Sequence, residues 1–280
     1  MKTTHQKRAG LGRDVFQEID FAGLWREQSQ RSSFGPRSSQ DWDRRARQRF
    51  RRELNSDYSR AFLRRLDLSG VNTALDIGCG TGNLAIPLAK RLRRVHALDF
   101  SNAMLRELDN HRRREGLENI ALHVRSWFDS WRAVPKVDLV LCSRAMGVED
   151  LRAALDKMSR KARRRAYATI HSGGSYLGND VLALLDREIV PRPDYIYAVN
   201  ILYQMGYRAR VDFLRSSGGQ GYASEDEFLR AVRWRIGELS AKEEARLRRF
   251  FRTLPREDDG SIRYRHDFEW AMLAWETGGA

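Results

Sequence analysis

Apolar residues recur at helical spacing from Asp41 to Leu66: Trp42, Ala46, Phe50, Leu54, Tyr58, then Phe62, Leu63 and Leu66. Charges fill the other faces, which predicts one or two amphipathic helices. Residues 1 to about 40 are polar and punctuated, and Ser29–Gln40, "SQRSSFGPRSSQ", reads as a loop or flexible arm. After "LSG" the period changes. Short apolar runs predict strands at 73–77, 94–99, 119–124, 137–142 and 165–171, and the stretches between them predict helices at 83–92, 102–115 and 148–163.

Strands alternating with helices of this length form βαβ units. The expected fold is therefore α/β, a doubly wound and mostly parallel sheet. Right-handed crossovers put the C-terminal ends of the strands on one rim, where ligands bind. The alternation stops at "HSGGSYLG", and residues 172–205 hold turn signals, "PRP" and several tyrosines, which reads as an inserted lid or substrate region. A strand is expected at 206–214, one long helical segment at 224–254 opening on Ser224 with Glu227 three residues on, and a last strand at 267–276. The expected organisation is an N-terminal arm with helices over 1–70, then one domain over 71–280 carrying the insertion.

The chemistry concentrates in "TALDIGCGTGN", Thr73 to Asn83. A glycine turn between strand and helix commonly cradles phosphate, and the dinucleotide fingerprint asks for G-x-G-x-x-G. Here the third glycine position is Asn83, and Asp76 stands two residues before the turn. A carboxylate there repels a pyrophosphate in a low-dielectric crevice. It favours a nucleoside with a cationic tail, while Asp99, closing the next strand, suits a ribose diol.

At these residues the sequence resembles the class I S-adenosylmethionine-dependent methyltransferases. The resemblance runs from "ALDIGCGTGNLAIPLA" through "VHALDFSNAML" and "LHVRSWFD" to "VDLVLCSRAMGVEDL", about residues 73–171. It implies a seven-stranded sheet and S-adenosylmethionine as cofactor. Asp76 and the turn Gly78, Cys79, Gly80, Thr81, Gly82 and Asn83 would hold the methionine tail. Asp99 would take the ribose, and Phe100 and Met104 would pack on the adenine faces. Ser126 stands where the family often has an acidic residue for the adenine amino group, and the Trp127 amide would face the ring. Ser143 and Arg144 would lie beside the methyl group, and Trp42 and Arg45 would close over the cofactor.

Each assignment has a plainer alternative. Phe100 and Met104 can be ordinary core, Trp127 can cover a sheet edge, and Cys79 and Cys142 are small residues that fit. His171, ending a strand on the ligand rim, is the candidate general base or a histidine bonded to a loop. The tyrosines of the insertion line a pocket or form its own small core.

Charge and composition narrow the rest. The 280 residues carry 51 Lys and Arg against 37 Asp and Glu, a net +14 that is mostly arginine. The runs "KRLRR", "HRRREG" and "SRKARRR" close helices, so they are expected on the rim opposite the ligand, complementing helix dipoles. A second set, Arg37, Arg44, Arg45, Arg47, Arg49, Arg51 and Arg52 with Arg192 and Arg208, could reach the substrate side. The Asp/Asn-Pro-Pro-aromatic signature of base-flipping enzymes is absent, and so are recognisable RNA-binding modules. No apolar run of membrane-spanning length occurs, the N-terminus lacks an apolar signal core, and two cysteines without CxxC spacing support neither a disulfide framework nor a zinc site. The expectation is a cytoplasmic enzyme acting on a small or medium organic acceptor. Its alternatives are an RNA methyltransferase using the N-terminal arginines, and a catalytically silent S-adenosylmethionine-binding scaffold.

Overall fold

The computed structural model describes residues 14–35, 37–48, 56–258 and 260–278, and the side chains at 45–48, 216–220, 265 and 267 lie outside that description. The chain runs α1 (Val15–Glu18), α2 (Phe21–Arg31), α3 (Ser39–Gln48), α4 (Asp57–Arg65), β1 (Thr73–Ile77), α5 (Ala85–Ala89), β2 (Arg94–Asp99), α6 (Asn102–Arg114) and β3 (Ile120–Val124). It continues β4 (Val137–Cys142), α7 (Leu151–Lys161), β5 (Ala162–Ser172), α8 (Asn179–Leu182), α9 (Tyr195–Gln204), β6 (Arg210–Tyr222), α10 (Glu225–Ile236), α11 (Ala241–Thr253) and β7 (Ile262–Glu276).

The seven strands form one sheet in the order β3-β2-β1-β4-β5-β7-β6. The first five pair in parallel, and β7 slots antiparallel between β5 and β6. The expected doubly wound, seven-stranded α/β fold is present. Central strands are buried on both faces, which is why they read as continuous apolar runs rather than as alternation. Leu75, Ile77, Val140 and Cys142 face a core shared with Trp25 of α2 and with α7 and α9. Ala74, Ala97, Leu139 and Leu141 face the opposite core with α4, α5 and α6.

A third core of α8, α10, α11 and the outer half of the β6–β7 hairpin includes Phe34, Val181, Tyr222, Phe228, Leu247 and Tyr264. This core explains two departures from the pattern reading, and the core around Trp25 explains a third. β6 and β7 are longer than expected, because their outer halves are held by α10 and α11 rather than by the main sheet. The 224–254 segment is two helices, broken at Gly237 with φ +84°. A left-handed backbone ends a helix there, and Ser240 with Glu243 starts the next as a complete capping box. The polar segment before residue 40 contains α2, whose anchor is Trp25: its Nε1 donates to the Val148 carbonyl at 2.8 Å. A single buried indole fixes a helix that composition marks as loop.

The three basic runs close βαβ elements as expected. Arg112, Arg113 and Arg114 end α6, Arg160 and Lys161 end α7, and Lys90 caps α5. In parallel βαβ units those ends sit at the rim opposite the C-terminal ends of the strands.

Candidate active site

The turn after β1 is built against β2. Gly78 N and Cys79 N both donate to the Leu98 carbonyl, at 2.7 and 3.1 Å, and Gly80 N donates to Asp99 Oδ2 at 2.9 Å. His111 of α6 holds the Thr81 carbonyl through Nδ1 at 2.9 Å. The glycines differ in purpose. A Cβ on Gly78 would stand 2.3 Å from Ala145 Cβ, and one on Gly82 would stand 3.0 Å from both Ile86 and Leu108. Those two are glycine so that β1 can approach the β4–α7 loop and α6. Only Gly80, with φ +54°, would aim a Cβ into open space. Of the three, Gly80 alone leaves open space beside its backbone, and its positive φ by itself favours glycine.

Asp76 is 2% exposed, and its Oδ2 has no hydrogen-bond partner. Burial first, then the neighbouring Asp99 carboxylate, pushes its pKa up to about 8, against one backbone N–H bond from Ala85. Burial also raises Asp99, opposed by backbone N–H bonds from Ser101, Gly80 and Phe100. Asp99 Oδ1 accepts Ser101 N at 2.8 Å. Burial and Asp99 raise Asp76, while burial and Asp43 raise Asp99, and buried carboxylates so placed would favour a cation. Asn83 adds an unpartnered buried Oδ1 beside them.

Beyond Asp99, Met104 is buried and packs with Ala103 against Trp42 of α3, while Phe100 is 37% exposed. Trp42 meets Trp234 of α10 edge-on at 5.7 Å. Asp43, which the sequence reading passed over, accepts from Ser101 Oγ and from Ala103 N and so ties α3 to the start of α6. The Arg45 and Arg47 side chains, with Arg49, Arg51 and Arg52, lie outside the described residues, and Arg44 pairs with Asp41 on its own helix. Ser126 Oγ accepts Phe128 N, and its N–H donates to Asp129. Trp127 packs on Trp131 at 5.2 Å and donates to the Ala145 carbonyl at 3.4 Å. Cys79 and Cys142 are both free and sit in cores on opposite faces of the sheet, where burial pushes both thiols up.

On the other side of the turn, Tyr58 of α4 is buried and its hydroxyl joins Ser143 Oγ at 2.8 Å and Thr169 Oγ1 at 2.9 Å. Arg144 follows in the left-handed region at φ +59°, its N–H donating to Thr169 Oγ1 at 2.9 Å and its guanidinium 4.6 Å from the Tyr58 ring centroid. A non-glycine residue at that φ costs about 1–2 kcal/mol, and here β5 and α4 hold it in place.

His171 is 4% exposed and boxed by Tyr176 at 4.3 Å, Phe268 at 5.5 Å and Trp270 at 5.5 Å. Neither ring nitrogen has a hydrogen-bond partner. Burial, then Arg192 and His266, push its pKa down to about 3, so the ring is neutral at physiological pH. Of the insertion's tyrosines only Tyr176 reaches this box. Tyr195 and Tyr197 pack on the α2/α7/α9 core, and Tyr203 meets Phe16 at 5.2 Å.

The segment after α2 bonds to the loop before α9 and to α10. Ser33 N donates to the Val190 carbonyl and Val190 N to Ser33 Oγ, both at 3.0 Å; Gln28 reaches the Pro191 carbonyl, and Arg37 the Trp234 carbonyl. A surface cleft of about 590 Å³ between α4 and β6 touches none of the turn residues, and its Arg215 and Glu269 pair with each other. Among the described residues no cluster of His, Cys, Asp and Glu could hold a metal ion, and no helix is long and apolar enough to cross a membrane.

Residues 74–165 match the family described as a methyltransferase domain. The chain is 35% identical over 225 residues to an uncharacterised protein of Haemophilus influenzae, spanning 79% of this chain and 82% of that one. A shorter segment of 71 residues is 39% identical to the 23S rRNA (uracil(1939)-C(5))-methyltransferase RlmD of Alcanivorax borkumensis, covering 25% of this chain and 16% of that one. Among solved structures the YcgJ protein from Bacillus subtilis superposes with a TM-score of 0.55 at 14% identity, over 80% of this chain and 99% of that one, a likeness of fold.

Proposed function

This chain belongs to the class I S-adenosylmethionine-dependent methyltransferases, and from that premise we propose that it methylates a small or medium organic acceptor held on the rim between the glycine turn and His171. The cofactor is S-adenosylmethionine, and the cradle fits it. Asp76 offers an unpartnered buried oxygen to a cationic tail, and the space above Gly80 admits it. We assign Asp99 to the ribose and Met104, under Trp42, to the adenine side.

Held by Asp76, Asp99 and the glycine turn, S-adenosylmethionine would supply an electrophilic methyl group on a sulfonium, with a neutral thioether as its leaving group. The chain's own work is alignment and exclusion of water. Tyr58, Ser143 and Thr169 lock the ends of β4 and β5 together, which holds Arg144 at the rim. Asp76 and Asp99 stay buried under the turn. An imidazole held near pKa 3, chiefly by burial and then by Arg192 and His266, is a weak base at pH 7, which counts against His171 as the general base of the closed fold.

The observation that favours a small acceptor is that Ser33 and Gly35 bond to Val190 and Arg192, and Arg37 to Trp234 of α10, which gathers three segments outside the sheet. The match to the rRNA enzyme is too short to bring its substrate with it.

The test is transfer of labelled methyl from S-adenosylmethionine into a cell extract, separated into small molecules, protein and RNA. Label is expected among small molecules, and Asp99→Ala should weaken S-adenosylhomocysteine binding by about tenfold or more, ~1.4 kcal/mol. Label confined to nuclease-sensitive material would sink the small-acceptor reading. Cofactor retention without turnover on any fraction would favour a binding protein.

A further inference from the structure

We propose that the acceptor is a flat conjugated molecule bearing a carboxylate, held by Arg192 and Arg144 against the rings of Tyr176 and Tyr58. The inference rests on the methyl-transfer reading above and names the acceptor's chemical class.

Arg192 reaches the rim from the loop between α8 and α9, which is pinned where its backbone N–H donates to the Gly174 carbonyl at 3.0 Å. Its guanidinium lies 5.2 Å from the Tyr176 ring centroid, and Nη2 donates to the Gly35 carbonyl at 3.4 Å. A Cβ on Gly147, in the loop after β4, would stand 3.4 Å from Nη1, so the charge hangs over the end of β4. Its Nε is buried and has no partner. Arg144 comes from the same loop after β4, strained into the left-handed region, with its guanidinium over Tyr58. Among the described residues neither arginine forms an ion pair with a carboxylate, whereas Arg112, Arg165, Arg187, Arg233 and Arg248 all do.

The rings join these two charges into one wall. Tyr58 meets Trp270 at 6.1 Å, and Trp270 meets Tyr176 at 5.8 Å. Behind Tyr176, His171 holds two buried nitrogens without partners, a costly arrangement in a closed core. The Tyr176 hydroxyl is raised by burial and pulled the other way by Arg192, Arg235 and Arg144. The rim thus has two poles: paired carboxylates at Asp76 and Asp99, and uncompensated guanidiniums at Arg192 and Arg144. The first suits a sulfonium with an ammonium tail. The second calls for an anion, and a planar guanidinium fork beside flat rings matches a planar carboxylate on a conjugated frame.

The protein saturated with S-adenosylhomocysteine would be titrated with 1-naphthoate and, separately, with its neutral counterpart 1-naphthamide, reading intrinsic tryptophan emission. The carboxylate should bind about tenfold or more tightly than the amide. Arg192→Ala and Arg144→Ala should each bring it down to the amide's affinity, and Arg192→Lys should retain part of the difference. S-adenosylhomocysteine affinity, unchanged within about twofold, reports that each variant is folded. Arg144 is exposed and carries the test if Arg192→Ala does not fold. Equal binding of the two probes, binding of neither, or carboxylate binding indifferent to both arginines overturns the proposal. The labelled extract separates the two levels. Label on small molecules retained by an anion exchanger supports the carboxylate. Label on unretained small molecules overturns it and leaves the methyl-transfer reading standing, and label only on RNA or protein removes that reading too.

Discussion

Asp76 has the most consequential environment of any single residue in the chain. Burial and Asp99 raise its pKa from 3.8 to about 8. Between those values the folded, ligand-free chain holds a proton that the unfolded chain has released. Its contribution to stability is therefore present at low pH and is lost as pH rises through about 8. Asp76→Asn removes that slope, and thermal unfolding of the ligand-free protein between about pH 4 and 9 measures it. An identical slope in both proteins would mean that Asp76 is solvated or otherwise paired. His171 works in the opposite direction: with its pKa pushed from 6.5 to about 3, its contribution is lost as pH falls below 6.5. The two windows overlap, so the comparison with Asp76→Asn, rather than the raw profile, isolates the carboxylate.

At the scale of the element, the turn after β1 divides its glycines between folding and binding. Gly78→Ala combines a left-handed backbone with a Cβ driven into Ala145, and overpacking of this kind costs about 1–3 kcal/mol beyond the ~1–2 kcal/mol of backbone strain. Gly80→Ala incurs the strain alone. The expected outcome is a large fall in melting temperature for Gly78→Ala, against a small one for Gly80→Ala. S-adenosylhomocysteine affinity should drop about tenfold or more in Gly80→Ala, ~1.4 kcal/mol. Calorimetry and ligand titration on the two variants decide it, and a Gly80→Ala protein that binds normally would place the ligand elsewhere. Helix α3 is the other element whose position matters. Asp43 fastens it to the Ser101 cap of α6, and Trp42 packs on Met104, so the arm before the sheet docks beside the start of α6.

For the whole molecule, the net charge of +14 is a poor guide to partners because of where it sits. The basic last turns of α6 and α7 face the rim away from the turn, and many other arginines are spent on ion pairs, as Arg187 is with Glu243 and Arg252 with Glu225. Methyl transfer should change by less than about threefold between roughly 50 and 200 mM salt, whereas a chain gripping several phosphates loses about 10³–10⁵ in affinity over that range. A steep loss of transfer in the salt titration would return the arginines to the substrate.

The alternation of apolar strands and amphipathic helices from residue 73 onward was legible in the sequence, because parallel strands buried on both faces leave unbroken apolar runs. So was a preference for a cationic ligand over phosphate, read from Asp76 before a glycine turn, although burial and Asp99 raise that carboxyl's pKa to about 8 in the ligand-free fold. Local pattern could not place β7 antiparallel between β5 and β6, nor reveal the small core that lengthens that hairpin and splits the 224–254 helix. The N-terminal helix on Trp25 escaped for the same reason, its one anchoring bond reaching residue 148. The proposed acceptor side is tertiary in origin: Tyr58, Arg144, His171, Tyr176, Arg192 and Trp270 lie on separate elements, and no period in the chain couples them. Local free energies of a few residues shaped the cofactor turn, and they are readable as spacing. The second pole exists only because long-range packing carries unpaired guanidiniums and a neutral, buried imidazole to one end of the sheet.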